Sequence, residues 1–214
     1  LGLTRALEDN NPSPAASPTT AKRDKNLFTA LKCFTRAGYR TGRRTWAPMS
    51  TDMAEKHVVL TGASAGLGFE TAVALLEAGA TLTLVIRDPN KVASMQAALQ
   101  ERSGRQADRV ELADLSLLSQ VNALSERLLS ANRPIDVLIN NAGALFNDYC
   151  QTSEGIETSA ALLLLSPWRL TEAVHPLLAH HDTPARVINV VSGGMYTQKL
   201  QCESLVMSED DYRG

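Results

Sequence analysis

From about residue 56 the chain alternates two hydrophobic periods. HVVLTG (57–62) is a short β-branched run closed by glycine, and GLGFETAVALLEAGA (66–80) follows with apolar residues at helical intervals. The unit repeats: TLTLVI (81–86) precedes a helix near 90–102, RVELAD (109–114) one near 117–131, and IDVLIN (135–140) a long one near 154–180, with ARVINVV (185–191) as a fifth strand. Parallel strands need crossovers, and the crossovers cover both faces of the sheet. The pattern therefore predicts an α/β class, a doubly wound parallel sheet in three layers. Ligands of such sheets bind beyond the carboxyl ends of the strands.

The front of the chain follows other patterns. Residues 1–21 are rich in Pro, Ser, Thr, Asn and Ala and predict a disordered segment. Residues 22–54 form a basic arm carrying Lys22, Arg23, Lys25, Lys32, Arg36, Arg40, Arg43 and Arg44, with Leu27, Phe28, Leu31 and Phe34 near helical spacing. That pattern admits a membrane-surface or partner-binding helix. A short helix packed on the main domain, its basic face solvated, is the preferred reading. Residues 55–214 make up the α/β domain, and no internal repeat is visible.

Composition narrows this picture modestly. With 44% hydrophobic and 21% charged residues the chain can build an ordinary core, and its net charge of −2 gives no reason to invoke nucleic acid. The longest apolar run, Ala160–Leu165, falls far short of the ~20 residues that span a bilayer. Cys33, Cys150 and Cys202 are odd in number and lack CxxC spacing, which predicts reduced thiols in an intracellular, cytoplasmic protein. His180 and His181 are adjacent and cannot converge on one ion, so no metal is assigned. Leu1 in place of Met, without a signal-peptide pattern, suggests a fragment at that end.

Candidate chemistry lies at the strand ends. TGASAGLG joins the first strand to its helix, and its glycines permit a tight turn and bring backbone N–H groups and a helix N-terminus to a pyrophosphate. Gly62, Ser64, Gly66, Leu67 and Gly68 are the candidate contacts there. The Lys-Ser/Thr ending of a P-loop is missing, which disfavours nucleotide hydrolysis. After the second strand, a dinucleotide site places an acid for a ribose 2′-OH or a base for a 2′-phosphate. Arg87 stands there, so NADP is preferred to NAD, with Ser64 as a second phosphate contact; Arg87 could instead cap the turn or pair with Asp88. Asp114 and Leu115 follow the third strand, where the acid could accept from an adenine amino group or cap the next helix. NNAG after the fourth strand offers Asn140 and Asn141 as amide ties between strands, and Ala142 and Gly143 as a small backbone over which a cofactor can pass.

Taken together at these intervals, TGASAGLG, the Asp-Leu pair and NNAG resemble the short-chain dehydrogenase/reductase family of the TGxxxGxG type, over residues 56–214. CFTRAGY (33–39) and RVINVVSGGMYTQKL (186–200) extend the likeness and make the arm part of the protein. The resemblance implies a Rossmann-like fold and hydride transfer between NAD(P) and a small-molecule carbonyl or alcohol. It also implies a serine holding the substrate oxygen, which falls on Ser192, and a tyrosine whose pKa is lowered by a lysine four residues on. That pair is absent from the sequence. Tyr196 is followed four residues later by Leu200, lies only four residues past Ser192, and has Lys199 at the wrong spacing. Tyr212, in DYRG, resembles the loop before the family's tyrosine helix, and its fourth neighbour would fall beyond Gly214. The domain is therefore read as incomplete, without its last strands and tyrosine helix. Without the ~10²- to 10⁴-fold contributed by general acid/base catalysis, these residues alone are expected to be inactive or nearly so.

A second departure concerns the family's relay asparagine, whose position falls on Leu163. Its side chain cannot replace the amide's hydrogen bonds. In the family, however, a water is held by that residue's backbone carbonyl at a helix bend. Pro167, four residues on, removes the N–H that would bond the Leu163 carbonyl. The expectation is a bend and a freed carbonyl produced by the proline, with sequence drift as the competing explanation. A non-catalytic dinucleotide-binding or scaffold protein stands as the alternative to an enzyme, and the oligomeric state is left open.

Overall fold

The computed structural model describes residues 35–46, 52–179, 184–192 and 208–212. The chain divides into two compact units, 1–50 and 51–214. In the first, helix α1 (Arg36–Arg43) is capped by Thr35, whose hydroxyl accepts from Gly38 N at 3.1 Å. None of its side chains is buried. The Leu27–Phe34 pattern lies outside the described residues.

The second unit is a five-stranded parallel sheet: β1 (His57–Thr61), β2 (Thr81–Ile86), β3 (Arg109–Leu112), β4 (Val137–Asn140) and β5 (Arg186–Asn189), in the order β3-β2-β1-β4-β5. The crossovers are helices α2 (Gly66–Glu77), α3 (Val92–Ser103) and α4 (Leu118–Ala131), then α5 (Thr158–Ala160) and α6 (Ser166–Leu178) with a π-helical turn between them. Alternate residues of β1 face opposite layers. Val58 and Leu60 pack with Val73 and Leu76 of α2 and Leu99 of α3, whereas Val59 joins Val121 and Leu124 of α4 and Leu170 and Val174 of α6. This is the three-layer, doubly wound sheet that the periodicity predicts.

At the amino end of the strands, side chains close the sheet. Asp136 accepts from His57 N and Lys56 Nζ, each at 2.9 Å, and Asp108 accepts from Leu82 N at 2.8 Å. The buried His57 ring bridges Pro134 O (2.7 Å) and Thr83 Oγ1 (2.9 Å). A carbonyl can only accept, so Nδ1 carries the proton and the Thr83 hydroxyl donates to Nε2. Burial holds the imidazole below its ordinary pKa, against the opposing effect of the Pro134 bond.

The long helix expected from residue 154 begins at Thr158, where the Glu157 carboxylate accepts from Ser159 N and Ala160 N. It then widens into the π-helical turn Ala161–Leu165, with Ser166 N–H bonded to Ala161 O, five residues back. The extra residue places Pro167 in the first turn of α6, where a missing N–H does no harm. Thr171 Oγ1 donates to Pro167 O at 2.7 Å. The helix is thus interrupted where the proline predicts.

Candidate active site

The carboxyl ends of β1–β4 open into one cleft of about 550 Å³. Gly62, Ser64, Leu67, Gly68, Arg87, Asp114, Leu115, Asn141, Ala142 and Gly143 all line it. Residues from four separate strand ends are thus brought together as the sequence reading expected. Gly66 does not line the cleft but turns the loop into α2 with φ +58°. Ser192 lies outside the lining, exposed, two residues beyond Val190, which does line it.

Two glycines are required for distinct reasons. Gly62 has φ +73°, and a Cβ there would lie 2.7 Å from Ala142 Cα. Gly68 is helical, but a Cβ would stand 2.2 Å from Gly62 O and 2.6 Å from Asn141 Nδ2. Close packing of α2 on the β1 and β4 turns depends on its bare Cα. The N-cap of α2 is Ala65, which supplies no side-chain acceptor. The first-turn N–H groups therefore keep their donor capacity, and the start of the helix, through Ala65, Leu67 and Gly68, lines the cleft.

The turns are cross-tied by Thr61, which the sequence reading passed over. Its Oγ1 accepts from Asn141 N and Ala142 N, both at 3.0 Å, while Asn141 Nδ2 donates to Thr61 O at 2.9 Å and Gly62 O at 3.3 Å. Asn140 Nδ2 donates to Asn189 Oδ1 of β5 (2.9 Å) and to Thr171 Oγ1 (3.1 Å), linking the strand end to the Pro167 turn. The amides of NNAG therefore hold neighbouring elements together.

Arg87 is exposed at the end of β2, and among the described residues its guanidinium makes no ion pair or hydrogen bond. Asp88, its suggested partner, instead accepts from Asn90 N at 2.9 Å and caps the next turn. Asp114 does not cap α4. Its Oδ1 accepts from Ser116 N and Ser116 Oγ at 3.0 and 2.7 Å. The capping acceptor is Glu154, whose two oxygens bond Leu118 N (2.7 Å) and Ser119 N (2.9 Å). Hydrogen bonding from the Ser119 side chain, and after it from these backbone N–H groups, holds the Glu154 carboxyl below the usual range. Only a tertiary contact brings it there, so no local motif announces it.

Leu163 is 47% exposed, and its Cδ2 lies 3.2 Å from the position a Gly143 Cβ would take. The leucine thus borders the NNAG turn from the π-helical side. Further along the rim, Tyr212 donates to Phe146 O at 2.8 Å, meets Ser159 Oγ at 3.2 Å and packs edge-on against Tyr149. Tyr196, Lys199, His180, His181, Cys33 and Cys202 lie outside the described residues. Cys150 is exposed and unbridged. Among the described residues no cluster could hold a metal and no helix is long and apolar enough to cross a membrane.

Comparison with known proteins agrees with this geometry. Residues 56–201 match the short chain dehydrogenase family. The chain is 33% identical over 175 residues to dehydrogenase/reductase SDR family member 12 of Bos taurus, covering 81% of this chain and 55% of that one. It spans about half the length of the relatives it matches. Among solved structures, the Pseudomonas aeruginosa RhlG/NADP active-site complex superposes with a TM-score of 0.57 at 29% identity, covering 68% of this chain and 58% of that one. A short-chain dehydrogenase from Sphingobium yanoikuyae in complex with NADPH gives 0.55 at 33% identity, over 64% and 54%. Glycine turn, cross-tied NNAG and sheet order thus coincide with the matched region, and the chain belongs to the short chain dehydrogenase family.

Proposed function

We propose that the cleft binds NADP(H) in preference to NAD(H), and that the protein uses it to interconvert a small carbonyl compound and its alcohol. The observation carrying this reading is the Arg87 guanidinium, unpaired among the described residues and lining the same cleft as Ser64 and the uncapped start of α2. A base at the end of the second strand suits a 2′-phosphate. Gly66, Leu67 and Gly68 would hold the pyrophosphate, Asp114 and Leu115 the adenine, and Asn141, Ala142 and Gly143 would flank the path toward the nicotinamide. Two structural relatives carry NADP or NADPH in their complexes, which supports the same choice.

When bound, the nicotinamide supplies or accepts the hydride. Ser192 would hold the substrate oxygen from the end of β5. Leu163 stands where the family's relay residue would be, in the π-helical turn beside the cleft, and its backbone carbonyl would anchor a water there. These 214 residues contain no Tyr followed four positions later by Lys, so they are expected to bind the cofactor and turn it over slowly. Titrating the purified chain with NADPH and NADH tests the cofactor reading. Tighter binding of NADPH supports it; equal or tighter binding of NADH refutes it.

A further inference from the structure

The cleft changes character along its length. Its charged lining residues among the described ones, Arg87 and Asp114, stand at the ends of β2 and β3. Toward the ends of β4 and β5 the described lining is Ala144, Phe146, Leu162 and Val190 around one hydroxyl, that of Thr158. The proton of that hydroxyl is already engaged, since Thr158 Oγ1 donates to Cys150 O at 2.8 Å. Phe146 and Leu162 are half-buried and Val190 is 48% exposed. Apolar surface is therefore left open to the cleft at this end.

This wall is anchored along its length. Phe146 O accepts from the Tyr212 hydroxyl at 2.8 Å, and the Tyr212 ring packs edge-on against Tyr149. Cys150 O also accepts from Thr158 N at 2.9 Å, closing the loop after β4 onto the start of α5. Glu154 ties the same loop to the first turn of α4. The ring of Phe146 thus rises from a segment whose backbone is bonded on both sides of it.

We infer that this half of the cleft selects an apolar substrate, an alcohol or carbonyl compound on an aliphatic or aromatic body that carries no charge. The inference rests on the cofactor reading above, which runs the nicotinamide past Asn141, Ala142 and Gly143 and so brings the reacting carbon to this wall. Methylene or ring surface laid against Phe146, Leu162 and Val190 leaves water and gains accordingly. A carboxylate or phosphate moved to the same place would shed its hydration and meet no opposite charge among the described lining residues. The two halves therefore discriminate in opposite senses: the Arg87 end favours an anion, and the Phe146 end disfavours one.

The test uses the full chain saturated with NADPH. That cofactor already carries its hydride, so an added alcohol cannot react and calorimetry reads binding alone. The probes are 1-octanol and 8-hydroxyoctanoate, which differ only in a terminal methyl or carboxylate. 1-Octanol is expected to bind about tenfold or more tightly than 8-hydroxyoctanoate, and from 1-butanol through 1-hexanol to 1-octanol the affinity should rise about fourfold for each added methylene. Phe146→Ser should weaken 1-octanol about tenfold with the NADPH titration unchanged, and Val190→Thr, which keeps its shape, should act in the same direction. Absence of 1-octanol binding, equal or tighter binding of 8-hydroxyoctanoate, a flat chain-length series, or an affinity unmoved by both substitutions would overturn the inference and leave the cofactor reading standing. Failure of NADPH itself to bind would defeat the cofactor reading, and this inference with it.

Discussion

At the amino end of the sheet, Asp108, Asp136 and His57 satisfy the strand openings with side chains, which leaves little there for a ligand to bond. At the carboxyl end the same strands finish in glycines, an uncapped helix and an arginine unpaired among the described residues. One end spends its polar groups on the fold, while the other keeps donor capacity for something that binds. The difference makes the carboxyl end the proposed binding end on geometry alone, because a helix N-terminus offers backbone N–H groups and a positive dipole end to an anion. Substitutions at the carboxyl end should therefore alter binding, and those at the amino end only stability.

The largest effect is expected at Gly68. A single methyl there must displace Gly62 O or Asn141 Nδ2, and overpacking of this kind costs ~1–3 kcal/mol. If that cost falls on the bound state, Gly68→Ala should weaken NADPH binding about 10- to 100-fold, and it should also lower the melting temperature. Unchanged affinity by titration would show that α2 is free to move away. Thr61→Val comes next. It keeps the β-branched shape in β1 but removes the acceptor of Asn141 N and Ala142 N, and a buried donor without a partner costs ~1–3 kcal/mol. Both denaturant stability and NADPH affinity should fall, since the tie joins fold and cleft.

The smallest effect belongs to the closed end. His57 is neutral when folded, with its pKa lowered by burial, so the unfolded chain takes up the proton first as the pH drops below about 6.5. The stability from its two hydrogen bonds is complete above that pH and is lost on the way down through the folded value. In denaturant titrations, the advantage of the parent over His57→Phe should shrink between pH 7 and 5, with NADPH affinity at pH 7 the same in both. A pH-independent difference, or a loss of NADPH binding, would blur the contrast between the two ends.

The open end is far more legible in the sequence than the closed one. Gly62, Gly68, Arg87 and the NNAG amides act through turn sterics and strand-end position, which are encoded by their neighbours. The closed-end ties His57–Pro134 and Leu82–Asp108 join residues 77 and 26 positions apart, and only the sheet register creates them; at the open end the Leu118–Glu154 tie, 36 apart, is hidden for the same reason. Asp114 therefore reads in the sequence as one candidate cap of α4, although Glu154 fills that role. Pro167 does mark an interruption in the long helix. Its form, one extra residue that moves the proline into the first turn of α6, depends on which carbonyl Ser166 N–H selects, and the hydrophobic period is silent on that. Tyr212 can be placed in a loop from sequence, but not against Phe146 O.

The sharpest single test of the cofactor assignment is Arg87→Asp, titrated with NADPH and NADH in parallel. A hydrogen-bonded charge contact is worth ~1.5–3 kcal/mol, or about 10- to 150-fold in affinity. NADPH binding should fall within that range while NADH binding changes little. Equal losses for the two cofactors, or none for either, would refute the assignment.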